Sequence, residues 1–190
     1  MLFAHDTEVA LRAAAALVNT EEQAGDRLSS VEDLDRFVAK WGWTGSRRRD
    51  AGELEQVRAM RPRLRGLWEL DADGVVTEVN AILRHSHAMP QLVRHDEWDY
   101  HLHATPPDAP LANRMAVEAA MAFTDVIRSR QLERLRLCAA DDCNNVHIDL
   151  SKNRSRRFCG TSCANRTNVA AYRTRQASLV TGTGGGTGRA

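Results

Sequence analysis

The chain has 190 residues, an apolar content of 43% and a net charge of +1. This length suits one medium-sized domain with a small module beside it, and the apolar content is enough for most of the chain to bury a core. No run of about 18 apolar residues occurs, and the start of the chain lacks a basic segment followed by an apolar one. We therefore expect neither a membrane span nor an export signal, and we expect a cytoplasmic protein.

Hydrophobic residues repeat with helical spacing through most of the N-terminal two thirds. The predicted helices cover about residues 6–18, 31–41, 51–70, 75–87 and 111–137. Asp6-Thr7 is the candidate N-cap of the first helix, and Ser30 caps the second with Asp33 three residues later. Pro62 predicts a kink or a division in the third helix.

Residues 91–94 and 98–103 have β character on both sides of His95-Asp96-Glu97, which predicts one β-hairpin. The expected fold class is mainly α. A helical domain with this hairpin would occupy residues 1–136, and a four-cysteine, treble-clef-like zinc module would occupy residues 137–178. The Gly- and Thr-rich residues 179–190 are expected to be a disordered tail.

The four cysteines form two close pairs, Cys138-x4-Cys143 and Cys159-x3-Cys163, with fifteen residues between the pairs. Two close pairs at this separation are typical of a tetrahedral zinc site, because each pair comes from one local turn. The second pair has i, i+4 spacing, which places both thiolates at the start of a helix expected to run to about Gln176. We expect one structural Zn²⁺ per chain. Four thiolate ligands leave no open coordination position on the ion, so we do not expect the metal to be catalytic.

Other interpretations of these cysteines stay open. They are two disulfides, four unrelated buried thiols, a site of three cysteines with His147, and an iron–sulfur cluster. A reducing compartment favours metal ligands over disulfides, and close cysteine pairs in an otherwise plain segment favour zinc over iron and sulfur.

Charge is strongly segregated along the chain. No Asp or Glu follows Asp149, and the residues after it carry +8, so residues 1–149 carry −7. The basic end favours a polyanionic partner. The candidate DNA-contacting residues are Lys152, Arg154, Arg157, Asn165, Arg166, Arg173 and Arg175. The cationic side chains would bind phosphate, whereas Asn165 would read a base edge or hold the zinc loop.

Residues 138–175 resemble the CGNR zinc finger of bacterial proteins regarded as stress-induced transcription regulators. The matching residues are the four cysteines, Asp149, Ser151, Asn153, Ser155-Arg156-Arg157 and Ala164-Asn165-Arg166, with Ala164 standing where the family has glycine. Leu17-Val18-Asn19-Thr20 is similar to the start of the helical domain that usually precedes this finger. The resemblance implies this two-part architecture and a DNA-binding role.

Two further residue groups have simple structural explanations. His101-x-His103 would share a strand face and suggests a second metal site, but an exposed hairpin explains these histidines more simply. The tryptophans are interpreted as core or hairpin packing, with a ligand pocket as the alternative; they are Trp41, Trp43, Trp68 and Trp98. No phosphate loop, nucleophile elbow or dinucleotide fingerprint occurs, so we do not expect an enzyme.

The sequence therefore predicts a DNA-binding transcriptional regulator. Its helical domain would sense a small-molecule effector or mediate assembly, for example as a homodimer. The alternative is a protein-interaction module in which zinc is purely structural. Its basic face would then bind an acidic partner or the acidic N-terminal domain of the same chain.

Overall fold

The computed structural model describes residues 2–22, 25–94 and 99–182, and it gives the side chains of these residues except Glu22 and residues 177–182. The helices in the described residues are α1 (His5–Val18), α2 (Val31–Trp41), α3 (Ala51–Gly66), α4 (Ala72–His85), α5 (Leu111–Arg128) and α6 (Thr161–Gly182). The strands pair two by two as antiparallel ribbons: β1 (Glu21–Glu22) with β2 (Gly25–Asp26), β3 (Gln91–Val93) with β4 (His101–His103), and β5 (Leu135–Leu137) with β6 (Val146–Ile148).

Helix α5 is the centre of the main core, and α1, α3 and α4 pack against it. Phe123 of α5 is fully buried and meets Trp68 edge to face, with ring centroids 4.9 Å apart. The helices surround a continuous apolar cluster, as the helical spacing predicted. None of the described helices combines the length and the apolar character that crossing a membrane requires.

Side chains at the helix starts explain where several helices begin. Ser30 and Asp33 form the predicted capping box, and Gly42 ends α2 in the left-handed conformation at φ +68°. Asp50 and Asp71 cap α3 and α4 in the same way, each accepting a hydrogen bond from a backbone N–H three residues later. The predicted cap at Asp6-Thr7 is wrong, because α1 begins one residue earlier without a side-chain cap.

Pro62 neither divides nor ends α3. A proline inside a helix leaves the carbonyl four residues earlier without its N–H donor. In α3 that carbonyl belongs to Arg58, and the Nε atom of Arg61 donates to it at 3.3 Å. This substitute bond explains how the helix continues to Gly66, four residues short of its predicted end.

The fifth helix ends nine residues earlier than predicted. Arg130 has a left-handed backbone at φ +55°, and the chain leaves α5 there. The apolar residues that follow, Leu132 and Leu135, have helical spacing but belong to a short 3₁₀ turn and to β5. The predicted single helix to Leu137 is therefore a helix, a turn and a strand.

The hairpin predicted near residues 91–103 is confirmed, with Gln91 opposite His103 and Val93 opposite His101. The predicted turn at residues 95–97 and Trp98, the predicted start of the second strand, lie outside the described residues, and the observed strand begins at His101. The β1–β2 and β5–β6 ribbons were not predicted. Helix α6 continues to Gly182, six residues beyond its predicted end at Gln176. Of the tail expected to be disordered, 179–190, residues 179–182 belong to α6 and residues 183–190 lie outside the described residues.

A buried ion pair joins the β1–β2 ribbon to α3. Arg61 is only 4% exposed and binds the Asp26 carboxylate with both Nη atoms, at 2.8 and 2.6 Å. The hydrogen bonds from Arg61 lower the pKa of Asp26 from 3.8 to about 2. Removing Asp26 would leave the buried Arg61 guanidinium without a carboxylate among the described residues, whereas removing Arg61 would leave Asp26 with Arg58, whose Nε lies 3.1 Å away.

We expect this pair to make stability pH-dependent below pH 4. A carboxyl whose pKa is lowered in the folded state stabilises that state above the unfolded pKa, and this contribution disappears as pH falls through the folded pKa. The shift corresponds to about 2 kcal/mol at neutral pH. Asp26→Asn should lose about that much in urea unfolding at pH 7 and little near pH 2, whereas Asp108→Asn, in an exposed loop, should lose almost nothing at either pH. An equal loss for Asp26→Asn at both pH values would contradict this explanation.

Candidate metal centre and nucleic-acid interface

The β5–β6 ribbon positions the first cysteine pair. Its strands run antiparallel, with Leu135 opposite Ile148 and Leu137 opposite Val146, and the turn between them carries Cys138 and Cys143. The backbone N–H of Cys138 donates to Asn145 O at 2.8 Å, and that of Cys143 donates to Ala140 O at 3.0 Å. These bonds close the turn into a compact knuckle in which both thiols face one point.

The second pair lies at the start of α6, as the spacing predicted. Cys159 precedes the helix, and Cys163 is in its first turn. Residues 149–158 fold back so that Ala139 N donates to Arg157 O at 2.9 Å, which brings the second pair beside the knuckle. The N-terminal end of the helix dipole favours the negative charge of a thiolate at this position.

The four sulfur atoms form one compact cluster. All Sγ atoms of Cys138, Cys143, Cys159 and Cys163 lie within 4.8 Å of one another. The Cys143–Cys159 and Cys159–Cys163 separations are 3.8 and 3.6 Å. Since a Zn–S bond is about 2.3 Å long, a regular tetrahedron has sulfur–sulfur edges of about 3.8 Å. The donor set and its spacing therefore fit one Zn²⁺.

The structure does not support two of the alternatives. All four cysteines are free thiols, with no disulfide between them. His147 is buried, but its Nε2 atom lies 3.3 Å from Arg156 O, and the residue does not belong to the cysteine cluster. Among the described residues, the histidines of β4 belong to no group of three or more metal-binding side chains either.

Several N–H groups point at the sulfur atoms. Cys159 N lies 3.4 Å from Cys138 Sγ, Asn145 Nδ2 lies 3.7 Å from Cys159 Sγ, and Arg166 Nη2 lies 3.5 Å from Cys163 Sγ. Burial raises the pKa of the Cys143 and Cys159 thiols, an effect that a cation among the sulfurs would oppose. The sequence analysis missed Asn145, and its position two residues after a ligand-type cysteine is the signal that could have identified it.

Asp149 organises the loop between the cysteine pairs. Its fully buried carboxylate accepts hydrogen bonds from the N–H and hydroxyl of Ser151 and from the N–H of Arg156. Burial acts to raise the pKa of Asp149, but these hydrogen bonds outweigh it and the pKa is lowered. The Asp149, Ser151 and Arg156 positions of the family motif thus hold the loop that precedes Cys159.

We expect Asp149→Asn to weaken metal retention and stability. The amide would place an NH₂ group against a backbone N–H, and the loop would lose a charged acceptor. Such a loss typically lowers the free energy of unfolding by about 1–3 kcal/mol. The change is checked by the urea midpoint and by the rate at which a chelator removes zinc. Asp141→Asn is the matched control, since that carboxylate is exposed in the same module. Equal behaviour of the two variants would exclude this role of Asp149.

The metal module is attached to the helical part by direct bonds and by a shared core. The side-chain amide of Asn19, just after α1, clamps the backbone of Val146 with two hydrogen bonds of 2.8 Å. The indole N–H of Trp68 donates to His147 O at 3.1 Å. Leu135 and Ile148 of the ribbon belong to the main apolar cluster, so that core extends beyond residue 136.

The predicted DNA-contacting residues fall into two groups. Arg154 pairs with Glu133 at 2.5 Å, and Arg166 holds both carboxylate oxygens of Asp142, at 2.7 and 2.8 Å. The remaining cations are exposed and have no carboxylate within 4 Å among the described residues: Lys152, Arg157, Arg173 and Arg175. Asn165 is exposed too and makes no side-chain hydrogen bond with the described residues, so Asn145 rather than Asn165 supports the sulfur cluster.

Helix α6 buries no side chain from residue 168 to residue 176. Every residue from 168 to 176 is exposed, including Val169 at 48% and Tyr172 at 56%. Val169 and Ala170 therefore do not pack the helix against the module. Most helices gain their stability from packing one face. Over residues 168–176, helix α6 offers all its faces to solvent or to a partner.

Two family profiles match the sequence. Residues 11–130, more than half of the chain, match the ABATE domain, which is described as "Putative stress-induced transcription regulator". Residues 134–176 match the CGNR zinc finger. A comparison with curated proteins found no match. The two matched segments follow one another and cover the helical part and the cysteine cluster, which confirms the resemblance noted in the sequence.

Proposed function

Because the chain belongs to the ABATE family, whose description is "Putative stress-induced transcription regulator", we propose that it is a non-enzymatic regulator that binds DNA through its C-terminal zinc finger. The helical part would sense a ligand or mediate assembly. The cysteine cluster and the CGNR match support zinc binding, and the unpartnered basic helix α6 supports the DNA contact.

One Zn²⁺ per chain would be held by Cys138, Cys143, Cys159 and Cys163. The ion would neutralise the thiolate charge and fix the knuckle against the start of α6, with no open position for a substrate. Its function in this proposal is structural, because it holds the start of α6 in place beside the knuckle. Arg166 and Asp142 would brace the site from outside.

The observation that carries the DNA proposal is the exposure of α6 together with its charge. Arg173 and Arg175 project from a helix that has no acidic residue and whose residues 168–176 are all exposed. A helix of about 10–12 Å diameter fits the major groove, and flanking arginines then reach phosphates. Lys152 and Arg157, on the loop before α6, would contact the adjacent backbone, and Asn165 would face the groove.

The test is DNA binding by the full-length, zinc-loaded chain at several salt concentrations. If four cations contact phosphate, the logarithm of the affinity should fall with the logarithm of salt with a slope of about −4. Binding-site selection from random duplexes would then give the operator. Absence of DNA binding at low salt would exclude the proposal.

A protein partner is the second candidate function. Val169 and Tyr172 lie three residues apart on α6, so they share a face, and both are largely exposed. Such an apolar pair suits a protein surface better than phosphate. Among the described ion pairs of the basic end, Arg154 with Glu133 reaches the last residues of the helical domain, and Arg166 with Asp142 stays within the finger. The contact with the helical domain of the same chain therefore comes from the loop before α6 and not from the exposed part of α6 itself.

A further inference from the structure

A cavity of about 270 Å³ lies in the helical part, away from the metal centre. Its walls come from α1, the end of α2 with the residues after it, α5 and β4. Trp41 and Trp43 contribute two indole rings, and Leu83, Leu102 and Met121 add further apolar surface. The sequence-based packing interpretation thus holds for Trp68 and for Trp43, which packs against the main core and also lines the cavity, whereas Trp41 is a half-buried cavity residue.

The charged groups around this cavity are mostly acidic. Asp6, Glu118 and Asp125 line it, together with Arg128 and the two histidines of β4, His101 and His103, whose Nε2 atoms lie 2.9 Å apart. The Arg128 side chain is 78% exposed and lies 3.9 Å from Asp125, whose other oxygen accepts a hydrogen bond from Thr7. Among the described lining residues, three carboxyl groups therefore face one arginine, which is mostly exposed.

Glu118 differs from the other carboxyl group of α5 that lines the cavity, Asp125. Glu118 makes no hydrogen bond or ion pair with the described residues. Arg114, one turn earlier on α5, directs its guanidinium to the backbone carbonyls of Thr44, Ser46 and Ala109. Burial is the main reason that the pKa of Glu118 is raised to about 7, with the charge of Asp6 adding to it and Arg114 opposing it.

Indole rings attract cations over their faces, and a desolvated carboxylate gains most from a cation placed beside it. We propose that this cavity binds a small protonated amine with an aromatic or branched aliphatic body. The ammonium group lies beside Glu118, and the body packs against Trp41 and Trp43. The volume limits the ligand to less than the size of a typical drug molecule.

The role of the amine as the effector of a DNA-binding regulator rests on the proposed function, whereas the binding of the amine to the cavity does not. Binding itself is measured without DNA, on the full-length, zinc-loaded protein. The probes are 2-phenylethylamine, its uncharged isostere 2-phenylethanol, and the anion phenylacetate, titrated at pH 7.5 by calorimetry and by tryptophan fluorescence.

We expect the amine to bind at least tenfold more tightly than the alcohol and phenylacetate not to bind. Glu118→Gln should reduce the amine affinity to that of the alcohol. Glu55→Gln, which changes an exposed carboxylate on α3, should leave both affinities unchanged. Met121→Trp, which fills the cavity and keeps Glu118, should weaken amine and alcohol alike.

Failure of the amine to bind, equal affinity for amine and alcohol, or unchanged amine affinity in Glu118→Gln would each overturn the proposal. If the amine binds but the protein does not bind DNA, the cavity assignment stands and the proposed function fails. If both bind, the amine should change DNA affinity at least threefold in the wild type and not in Glu118→Gln. Equal DNA affinity with and without amine would overturn the effector role.

Discussion

Replacing Cys143 or Cys163 by serine is expected to reduce the zinc content from one ion per chain to nearly none and to unfold the finger. A neutral hydroxyl does not replace a thiolate ligand, and metal binding supplies about 10–16 kcal/mol of apparent free energy in small zinc modules. The β5–β6 ribbon also belongs to the main core, so the loss should lower the unfolding midpoint of the whole chain. Metal analysis and thermal unfolding check the two effects.

Ser162→Ala is the matched control for these variants. Ser162 is exposed between the two cysteines of the second pair, and replacing it should leave zinc content and unfolding unchanged. A metal-free wild-type preparation with the same C-terminal fold and two disulfides would contradict the zinc assignment. A Cys143→Ser protein with full zinc content would remove Cys143 from the ligand set.

Reversing the charges of Arg173 and Arg175 should weaken DNA binding strongly while zinc stays bound. A hydrogen bond to a charged group contributes about 1.5–3 kcal/mol, so losing two phosphate contacts should reduce affinity by at least a hundredfold. The salt slope, which is the slope of the logarithm of affinity against the logarithm of salt concentration, should become shallower by about 0.9 for each lost contact. Arg173→Glu and Arg175→Glu, alone and together, are measured against wild type by fluorescence anisotropy with labelled duplex DNA.

Arg84→Glu provides the same change of charge on an exposed arginine of the helical part. It should leave the salt slope unaltered. Arg166→Glu is a poorer probe, because Arg166 contacts both Asp142 and the sulfur of Cys163 and its loss should also release zinc. If the double variant at 173 and 175 binds DNA like wild type, α6 is not the DNA surface, and the protein-interaction function becomes the better one.

Local patterns predicted the cysteine cluster and most helices correctly. Cysteine spacing and capping residues act over a few positions, so their effect can be deduced without the tertiary structure. The predicted end of α5 was wrong because Leu132 and Leu135 have helical spacing. A 3₁₀ turn followed by a strand is equally compatible with that spacing.

Long-range contacts are what the sequence did not reveal. The bond between Arg166 and Asp142 spans 24 residues, and the clamp from Asn19 to Val146 spans 127. No local rule relates such partners. Periodicity also cannot separate a core position from a cavity wall, which is why Trp41 and Trp43 were assigned to packing.

Helix α1 has a role in both regions of the molecule. Its first turns carry cavity residues such as Asp6 and Ala10, and Asn19, directly after its last turn, holds the backbone of β6 next to the metal knuckle. Its 14 residues span about 20 Å, so one rigid element joins the two regions. A cavity ligand that displaces α1 would strain the Asn19 clamp, and a partner bound to the finger would hold that clamp in place. Thermodynamic linkage then makes the effect reciprocal: DNA must change ligand affinity by the same factor by which the ligand changes DNA affinity.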